Sequence, residues 1–347
     1  MNTHETYMKR CIELAKNGLG TTYPNPMVGS VIVCDGKIIG EGWHQKSGQA
    51  HAEVNAVNSV KDKSLLKKST IYVSLEPCSH FGKTPPCCDL IIANGIPNVV
   101  VGTVDPNEKV AGNGIKKLLE AGKNVTVGIL EKECQELNKR FFSFHNKKLP
   151  YVILKWAETV DGFIAPLSKL EQKPIWISNI YSRQLVHKWR SEEQAILVGT
   201  QTVIDDNPKL DVRDWTGKNP LRVVIDANNR IPPDRHVFDN QHKTIIICSK
   251  KVHQEKENVI FEVIDFKKNV AAQILDVLYQ YQIQSLIVEG GKQTLQTFID
   301  SDLWNEARVF KGDMVFGEGV LAPVLHSKKV GRETIFGDEL LIFSNHD

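Results

Sequence analysis

No stretch of the 347-residue chain approaches the ~20 consecutive apolar residues that a membrane-spanning helix needs. Met1-Asn-Thr-His-Glu opens the sequence without the apolar core of a secretory leader. A membrane partner is therefore not expected, and a cytoplasmic location is. An excess of charge of one sign is also missing: 43 Lys and Arg against 41 Asp and Glu leave a formal net charge of +2. Nucleic-acid surfaces need clustered positive charge, so a nucleic-acid partner is not expected either. The seven cysteines are odd in number and unevenly spread, which excludes a disulfide framework and fits a reducing compartment. What is present, 41% hydrophobic and 24% charged residues, is an ordinary globular composition. The length exceeds one usual core, so two domains are expected.

In the first half, Met8, Cys11, Ile12 and Ala15 fall at i, i+3, i+4 and i+7 and predict an amphipathic helix over 4–17. Tyr23-Pro-Asn25-Pro then breaks the chain. Asn25 reads as a turn residue or as an amide aimed into a pocket, and the sequence alone slightly favours the turn. Asp35-Gly36 between two apolar runs predicts a two-residue hairpin. A helix opens at His51, a strand spans 69–75, a second helix runs from Cys87 to Asn94, and strands follow at 98–104 and 125–129. Further helices are expected at 114–121 and 131–145. The polar Asn146-Lys-Lys-Leu-Pro150 connector sets the expected boundary, with domains 1–146 and 147–347.

One constellation carries chemistry. His51, Cys78 and Cys87 supply one imidazole and two thiols, the three protein ligands of a catalytic Zn²⁺ whose fourth position holds water. Two residues apart on a regular helix, His51 and Glu53 would point about 200° away from each other. At a first helical turn the chain bends, so His51 can bind while Glu53 reaches the water. Glu53 is accordingly the expected proton carrier, a role worth roughly 10²–10⁴ in rate. Zinc lowers the pKa of a bound water from 15.7 towards about 7, so hydroxide is available at neutral pH. Cys88 competes with Cys87 as a ligand but points elsewhere on the helix, so it is expected buried or free. Cys11, Cys34, Cys134 and Cys248 sit in apolar patterns and are expected in cores.

The second half alternates apolar strands (151–159, 195–199, 221–226, 244–248, 259–264, 285–288) with helices at 178–190, capped by Ser178, and about 270–282. That order predicts a largely parallel sheet covered on both faces. Glu289-Gly290-Gly291, between a strand and the helical run from Thr294, reads equally as a phosphate cradle at a helix N-terminus or as a plain turn. Gly317-Glu-Gly319-Val-Leu-Ala322 matches a dinucleotide fingerprint only formally, since no βαβ unit can follow it.

The runs His51-Ala-Glu53 and Glu76-Pro-Cys78-Ser-His-x-Gly-x-Thr-Pro-Pro-Cys87 resemble the cytidine-deaminase superfamily. The stretch between the cysteines, with His80, Gly82, Lys83 and Thr84, resembles its riboflavin-biosynthesis branch, as do Tyr23-Pro-Asn25-Pro and Asp105-Pro-Asn107-x-x-Val-Ala-Gly112. Nucleic-acid and cytidine deaminases carry a shorter Pro-Cys-x-x-Cys. The resemblance implies that Asn25, His44, His80, Lys83 and Thr84 contact a pyrimidine ribosyl phosphate.

Downstream, Lys155-x-Ala157-x-x-x-Asp161-Gly162, Trp176-Ile-Ser178, Arg190, and Ala195-Ile-Leu-Val-Gly199-Thr-x-Thr202-x-x-x-Asp206-x-Pro-x-Leu210-x-x-Arg213 resemble the reductase half of the bifunctional riboflavin-biosynthesis deaminase/reductases, together with Val288-Glu-Gly-Gly291. The family resemblance implies an α/β chain with a cytidine-deaminase-like α/β/α domain and a dihydrofolate-reductase-like α/β domain that uses NADPH. It implies NADPH contacts from Ala157, Trp176, Thr202 and Asp206, and from Gly291, Lys292, Gln293, Thr294, Leu295, Gln296 and Thr297. Substrate contacts would come from Arg190, Leu210, Arg213 and Glu289, with Lys155 or Glu289 the available acid/base. Guanidinium forks suit a sugar phosphate, although as residues alone Arg190 and Arg213 read as surface charge. Phe163, Pro174 and Lys311-Gly312 depart from the family pattern. Two rivals stand beside this reading: a tRNA-type adenosine deaminase with an appended domain, and a structural zinc module joined to a nucleotide-sensing domain. A homo-oligomer is left open.

Overall fold

The computed structural model describes residues 3–81, 85–107, 110–168, 175–251 and 257–345. The chain divides into two compact units, Met1–Lys148 and Leu149–Asp347.

In the first unit, helix α1 (Thr3–Lys16) precedes strands β1 (Gly29–Cys34) and β2 (Lys37–Trp43), which pair through the Asp35-Gly36 turn. Both turn residues have positive φ, 49° and 72°, the backbone that a tight hairpin demands. Helix α2 (Ala52–Ser59), β3 (Thr70–Leu75), α3 (Cys87–Ala93), β4 (Asn98–Thr103), α4 (Asn113–Glu120) and β5 (Asn124–Val127) follow. The sheet order is β2-β1-β3-β4-β5, antiparallel around β1 and parallel from β3 to β5. Alternate side chains leave a strand on opposite faces, and the core obeys that rule. Ile32, Ile71, Val73, Val99 and Val101 pack with α2, α3 and α4 on one face. Val31, Val33, Tyr72 and Val100 pack with Met8, Cys11 and Ala15 of α1 on the other. Cys11, Cys34 and Cys134 are buried here, as Cys248 is in the second unit.

The single helix expected over 131–145 is instead two short pieces, α5 (Glu131–Leu137) and α6 (Lys139–Phe142), followed by a π turn at Ser143–Lys147. Asn138 interrupts it at φ −106°, ψ 24°. Its amide is engaged elsewhere: Met27 N donates to Oδ1 and Nδ2 donates to Met27 O, both at 2.8 Å.

The second unit contains β6 (Tyr151–Glu158), β7 (Phe163–Ala165), α7 (Ile180–Glu192), β8 (Ala195–Gly199), α8 (Thr200–Asp206), β9 (Leu221–Ile225), β10 (Thr244–Cys248) and β11 (Val259–Val263). It continues with α9 (Val270–Gln280), β12 (Ser285–Val288), α10 (Lys292–Asp300), β13 (Glu306–Lys311), β14 (Val320–Leu321), β15 (Lys328–Ile335) and β16 (Asp338–Ser344). The described residues form a nine-stranded sheet, β11-β10-β9-β8-β12-β6-β13-β16-β15, parallel as far as β13 and antiparallel in its last two strands. Burial on both faces explains the continuous apolar runs. Leu197, Val223, Ile245 and Ile247 face α9 and α10, while Ile196, Val198, Val224 and Ile246 face the opposite layer. Ser178 does not cap α7; the neighbouring Asn179 does, accepting from Tyr181 N and Ser182 N. Two glycines later than Gly290-Gly291, at 317 and 319, lead into the short β14, with no helix to complete a dinucleotide fingerprint.

Candidate functional site

In the first unit, β2 and β3 are both antiparallel to β1, so their C-terminal ends share one edge of the sheet. That edge brings three distant residues together. Gly40 and Gly42 on β2 let α2 lie close: a Cβ on Gly42 would sit 2.5 Å from Ala56 N. His51 is the N-cap of α2, with extended backbone (φ −72°, ψ 167°), so the helical 100° spacing does not bind it. Cys78 lies three residues past β3 and Cys87 is the first residue of α3.

The His51, Cys78 and Cys87 donor atoms lie within 4.8 Å of one another. His51 Nδ1 is 3.6 Å from Cys78 Sγ and 3.4 Å from Cys87 Sγ. A tetrahedral zinc with Zn–S of about 2.3 Å and Zn–N of about 2.0–2.1 Å sets N–S edges of roughly 3.6 Å. The donors therefore fit the ion. Contact with Cys87 and the pull of His51 lower the Cys78 thiol against its burial, and the same contact with burial pushes Cys87 up. Cys88 is buried and turned away, its Sγ 3.3 Å from Pro77 O, and burial pushes it up to about 12. Glu53 is buried at 3% exposure beside this group, and burial first, then the Cys78 charge, raises it to about 7.

The Asn25 amide meets His44: Nδ2 is 3.1 Å from His44 Nε2, and His44 Nδ1 is 3.1 Å from Ala50 O. The His44 ring meets the His51 ring edge-on at 5.3 Å. His80 is exposed two residues beyond Cys78, and Lys83 and Thr84 lie outside the described residues, as does Pro174. Sequence reading missed the role of Glu76. Its buried carboxylate accepts from the backbone N–H of Gly114 (2.8 Å), Gly112 (3.0 Å), Ile115 (3.2 Å) and Asp105 (3.3 Å), fastening the end of β3 to the start of α4. The signal was the Glu-Pro-Cys spelling, which places that carboxylate two residues from a ligand.

In the second unit, the C-terminal ends of the parallel strands surround a cavity of about 1480 Å³. That exceeds the ~300–1,000 Å³ of a usual single-ligand pocket. Lys155, Arg190, Arg213 and Glu289 line it, with Ala157, Trp176, Thr202 and Asp206. So do Gly291, Lys292, Gln293, Thr294, Gln296 and Thr297. Leu210 and Leu295 are not among the residues lining it; both side chains are buried in apolar clusters. Gly291 caps α10 without a side-chain bond, leaving first-turn N–H groups toward the cavity. The other glycines have a packing reason. A Cβ on Gly199 would meet Thr294 Oγ1 at 2.5 Å, and one on Gly290 would meet Thr294 Cβ at 2.6 Å.

Arg190 is not a free surface cation. Its Nε and Nη2 donate to the two Glu289 oxygens (3.1 and 2.9 Å) and Nη1 donates to Asp211 O. Lys155 Nζ is 3.8 Å from Glu289 Oε2. Burial pushes Glu289 up, but Arg190 and then Lys155 hold it at about 2, while burial lowers Lys155. Arg183 and His187, missed in the sequence, share the cavity wall. They fall at i and i+4 before Arg190 at i+7, a helical face that spacing alone could have disclosed.

Comparison with known proteins follows this division. Residues 150–330 match the family model described as the RibD C-terminal domain, and residues 1–103 match the cytidine and deoxycytidylate deaminase zinc-binding region. The riboflavin biosynthesis protein RibD of Aquifex aeolicus is 40% identical over 98% of this chain and 97% of its own length. This chain belongs to the RibD family. RibD of Escherichia coli is 36% identical, covering 90% of this chain and 88% of its own. A crystal structure from Thermotoga maritima, of a diaminohydroxyphosphoribosylaminopyrimidine deaminase/5-amino-6-(5-phosphoribosylamino)uracil reductase, superposes with a TM-score of 0.88 at 38% identity, over 99% of this chain and 98% of that one. The fold classes of RibD, a cytidine-deaminase-like unit and a dihydrofolate-reductase-like unit, are those of the two units here. Among the described residues no helix is long and apolar enough to cross a membrane.

Proposed function

We infer that the chain catalyses two successive steps of riboflavin biosynthesis. The first is zinc-dependent hydrolytic deamination of 2,5-diamino-6-(5-phosphoribosylamino)pyrimidin-4-one. The second is NADPH-dependent reduction of the ribosyl group to a ribityl chain. The observation that carries the first step is three donors of one imidazole and two thiols with a buried carboxylate beside them. A structural zinc site uses four protein ligands, and the fourth candidate, Cys88, is turned away.

His51, Cys78 and Cys87 would hold the zinc, which when bound supplies an acidified water at neutral pH. Glu53 takes the proton from the attacking water and delivers it to the departing amine. Asn25, oriented by His44, presents its amide to the pyrimidine edge, and His80, Lys83 and Thr84 serve the ribose phosphate.

In the second unit, Ala157, Trp176, Thr202, Asp206 and the start of α10 would hold NADPH, which supplies the hydride. Arg213, together with Arg190 on the same cavity wall, would bind the substrate phosphate. Lys155, beside Glu289, would give a proton to the sugar oxygen as the ring opens. A cytoplasmic location accords with substrates of this kind.

The test is ammonia release from the diaminopyrimidine phosphate, followed by loss of NADPH absorbance. Glu53→Gln should keep its zinc and lose deamination by at least about 10²-fold. Ammonia release at the wild-type rate by that variant would overturn the mechanism.

A further inference from the structure

The cavity of the second unit holds more positive groups than the assigned contacts use. Arg190 faces Glu289 and Arg213 faces Asp211, so both are already paired with carboxylates. Arg230 differs. It lies on the cavity wall, is exposed, and among the described residues has no carboxylate partner. Its Nη2 donates to the neutral Oε1 of Gln201 at 3.3 Å, and Gln201 Nε2 donates in turn to Asp205 at 2.8 Å. The guanidinium is thereby aimed without being neutralised.

Position adds to this. Arg230 stands just past the C-terminal end of β9, and β8 separates β9 from β12. The open α10 N-terminus lies at the end of β12, so Arg230 is about two strand spacings, roughly 10 Å, to one side of it. The reacting residues Lys155 and Glu289 lie on β6 and at the end of β12, away from β9. A dinucleotide laid across these strand ends, with its pyrophosphate at α10 and its nicotinamide toward Lys155, would turn its adenosine ribose to the β9 loop.

The carboxylate at that strand end is not available to a ribose. Asp226, 2% exposed, accepts from Arg230 N (2.9 Å), Ile231 N (3.0 Å) and Thr200 Oγ1 (3.3 Å). A free acid there would select NADH by holding the ribose hydroxyls, whereas a free arginine selects a 2′-phosphate. We propose that Arg230 binds the 2′-phosphate of the cofactor's adenosine ribose and is the residue that makes this cavity choose NADPH over NADH.

This inference rests on reading the cavity as a dinucleotide site. The full chain is titrated calorimetrically with NADPH, NADH, adenosine 2′,5′-bisphosphate and AMP. Wild type is expected to prefer each 2′-phosphorylated ligand. Arg230→Gln should weaken NADPH and adenosine 2′,5′-bisphosphate about 10- to 100-fold, the loss of a charge-assisted contact, and leave NADH and AMP unchanged. Arg230→Lys should recover part of the loss. Lys292→Gln, at the pyrophosphate end, should weaken NADPH and NADH alike. Equal weakening of both dinucleotides by Arg230→Gln, or no weakening, overturns the assignment, as does a change of preference in Lys292→Gln. If wild type binds neither dinucleotide, the cavity reading fails, an outcome distinct from failure at Arg230. Melting curves of each variant confirm that it is folded.

Discussion

Arg190 and Glu289, 99 residues apart in the chain, meet through two parallel hydrogen bonds of 3.1 and 2.9 Å at the wall of the reductase cleft. Removing one charge from such a pair leaves the other buried without compensation. Glu289→Gln strands Arg190 and Lys155 as neighbouring cations. We expect a stability loss toward the low end of about 3–5 kcal/mol, since the cavity admits water. Urea unfolding followed beside NADPH oxidation checks it. An unchanged midpoint would refute the charge-balancing role.

Cys87 and Cys88 are adjacent, yet only one faces His51. Cys87→Ser is expected to lose most bound zinc, whereas Cys88→Ser should retain one ion per chain and deaminate normally. Metal analysis of the purified variants decides between them. Zinc loss in Cys88→Ser would mean that the ligand assignment is wrong.

Glu76 accepts four backbone N–H groups from the 105–115 segment. Its replacement by Gln leaves donors facing an N–H₂ group, an expected cost of about 1–3 kcal/mol for each buried donor left unpaired. Because Cys78 is two residues away, zinc affinity should fall along with the melting temperature. A fall in neither would show that the carboxylate is dispensable.

His187 is 4% exposed, and burial first, then Arg190 and Arg213, lowers it from its ordinary 6.5. A histidine that resists protonation only when folded binds more protons unfolded. Its stabilising contribution is therefore complete above pH 6.5 and is lost as pH falls below that value toward its folded pKa. Wild type should lose more stability than His187→Gln between about pH 8 and pH 5. Parallel slopes for the two would sink the idea.

Legibility followed the reach of each determinant. The His51, Cys78 and Cys87 cluster was readable because metal chemistry admits few residue types, and Asp35-Gly36 because a tight hairpin needs positive φ. The core strands were readable because both faces are covered. Strands β13, β15 and β16 were not. Lys-Lys-Val-Gly-Arg-Glu-Thr-Ile of β15 is an exposed edge whose pairing with β16 supplies what its composition does not. The break at Asn138 was invisible because the apolar spacing of Cys134, Leu137 and Phe141 runs through it. The residue that the Asn138 amide bonds, Met27, lies 111 residues away. Leu210 and Leu295 carried family-implied contacts, but their apolar side chains belong to the cores.

The Asn138–Met27 amide pair has a practical consequence for dissecting the enzyme. Met27 ends the loop that carries Asn25, so the far end of the unit holds the near end of its active site in register. The zinc-binding-region match stops at residue 103. A fragment cut there would keep every metal donor and lose the clasp, exposing the underside of α1 where Cys134 and Leu137 pack. The smallest deaminase worth expressing therefore runs past Asn138, because the recognition motif is shorter than the piece of chain that folds.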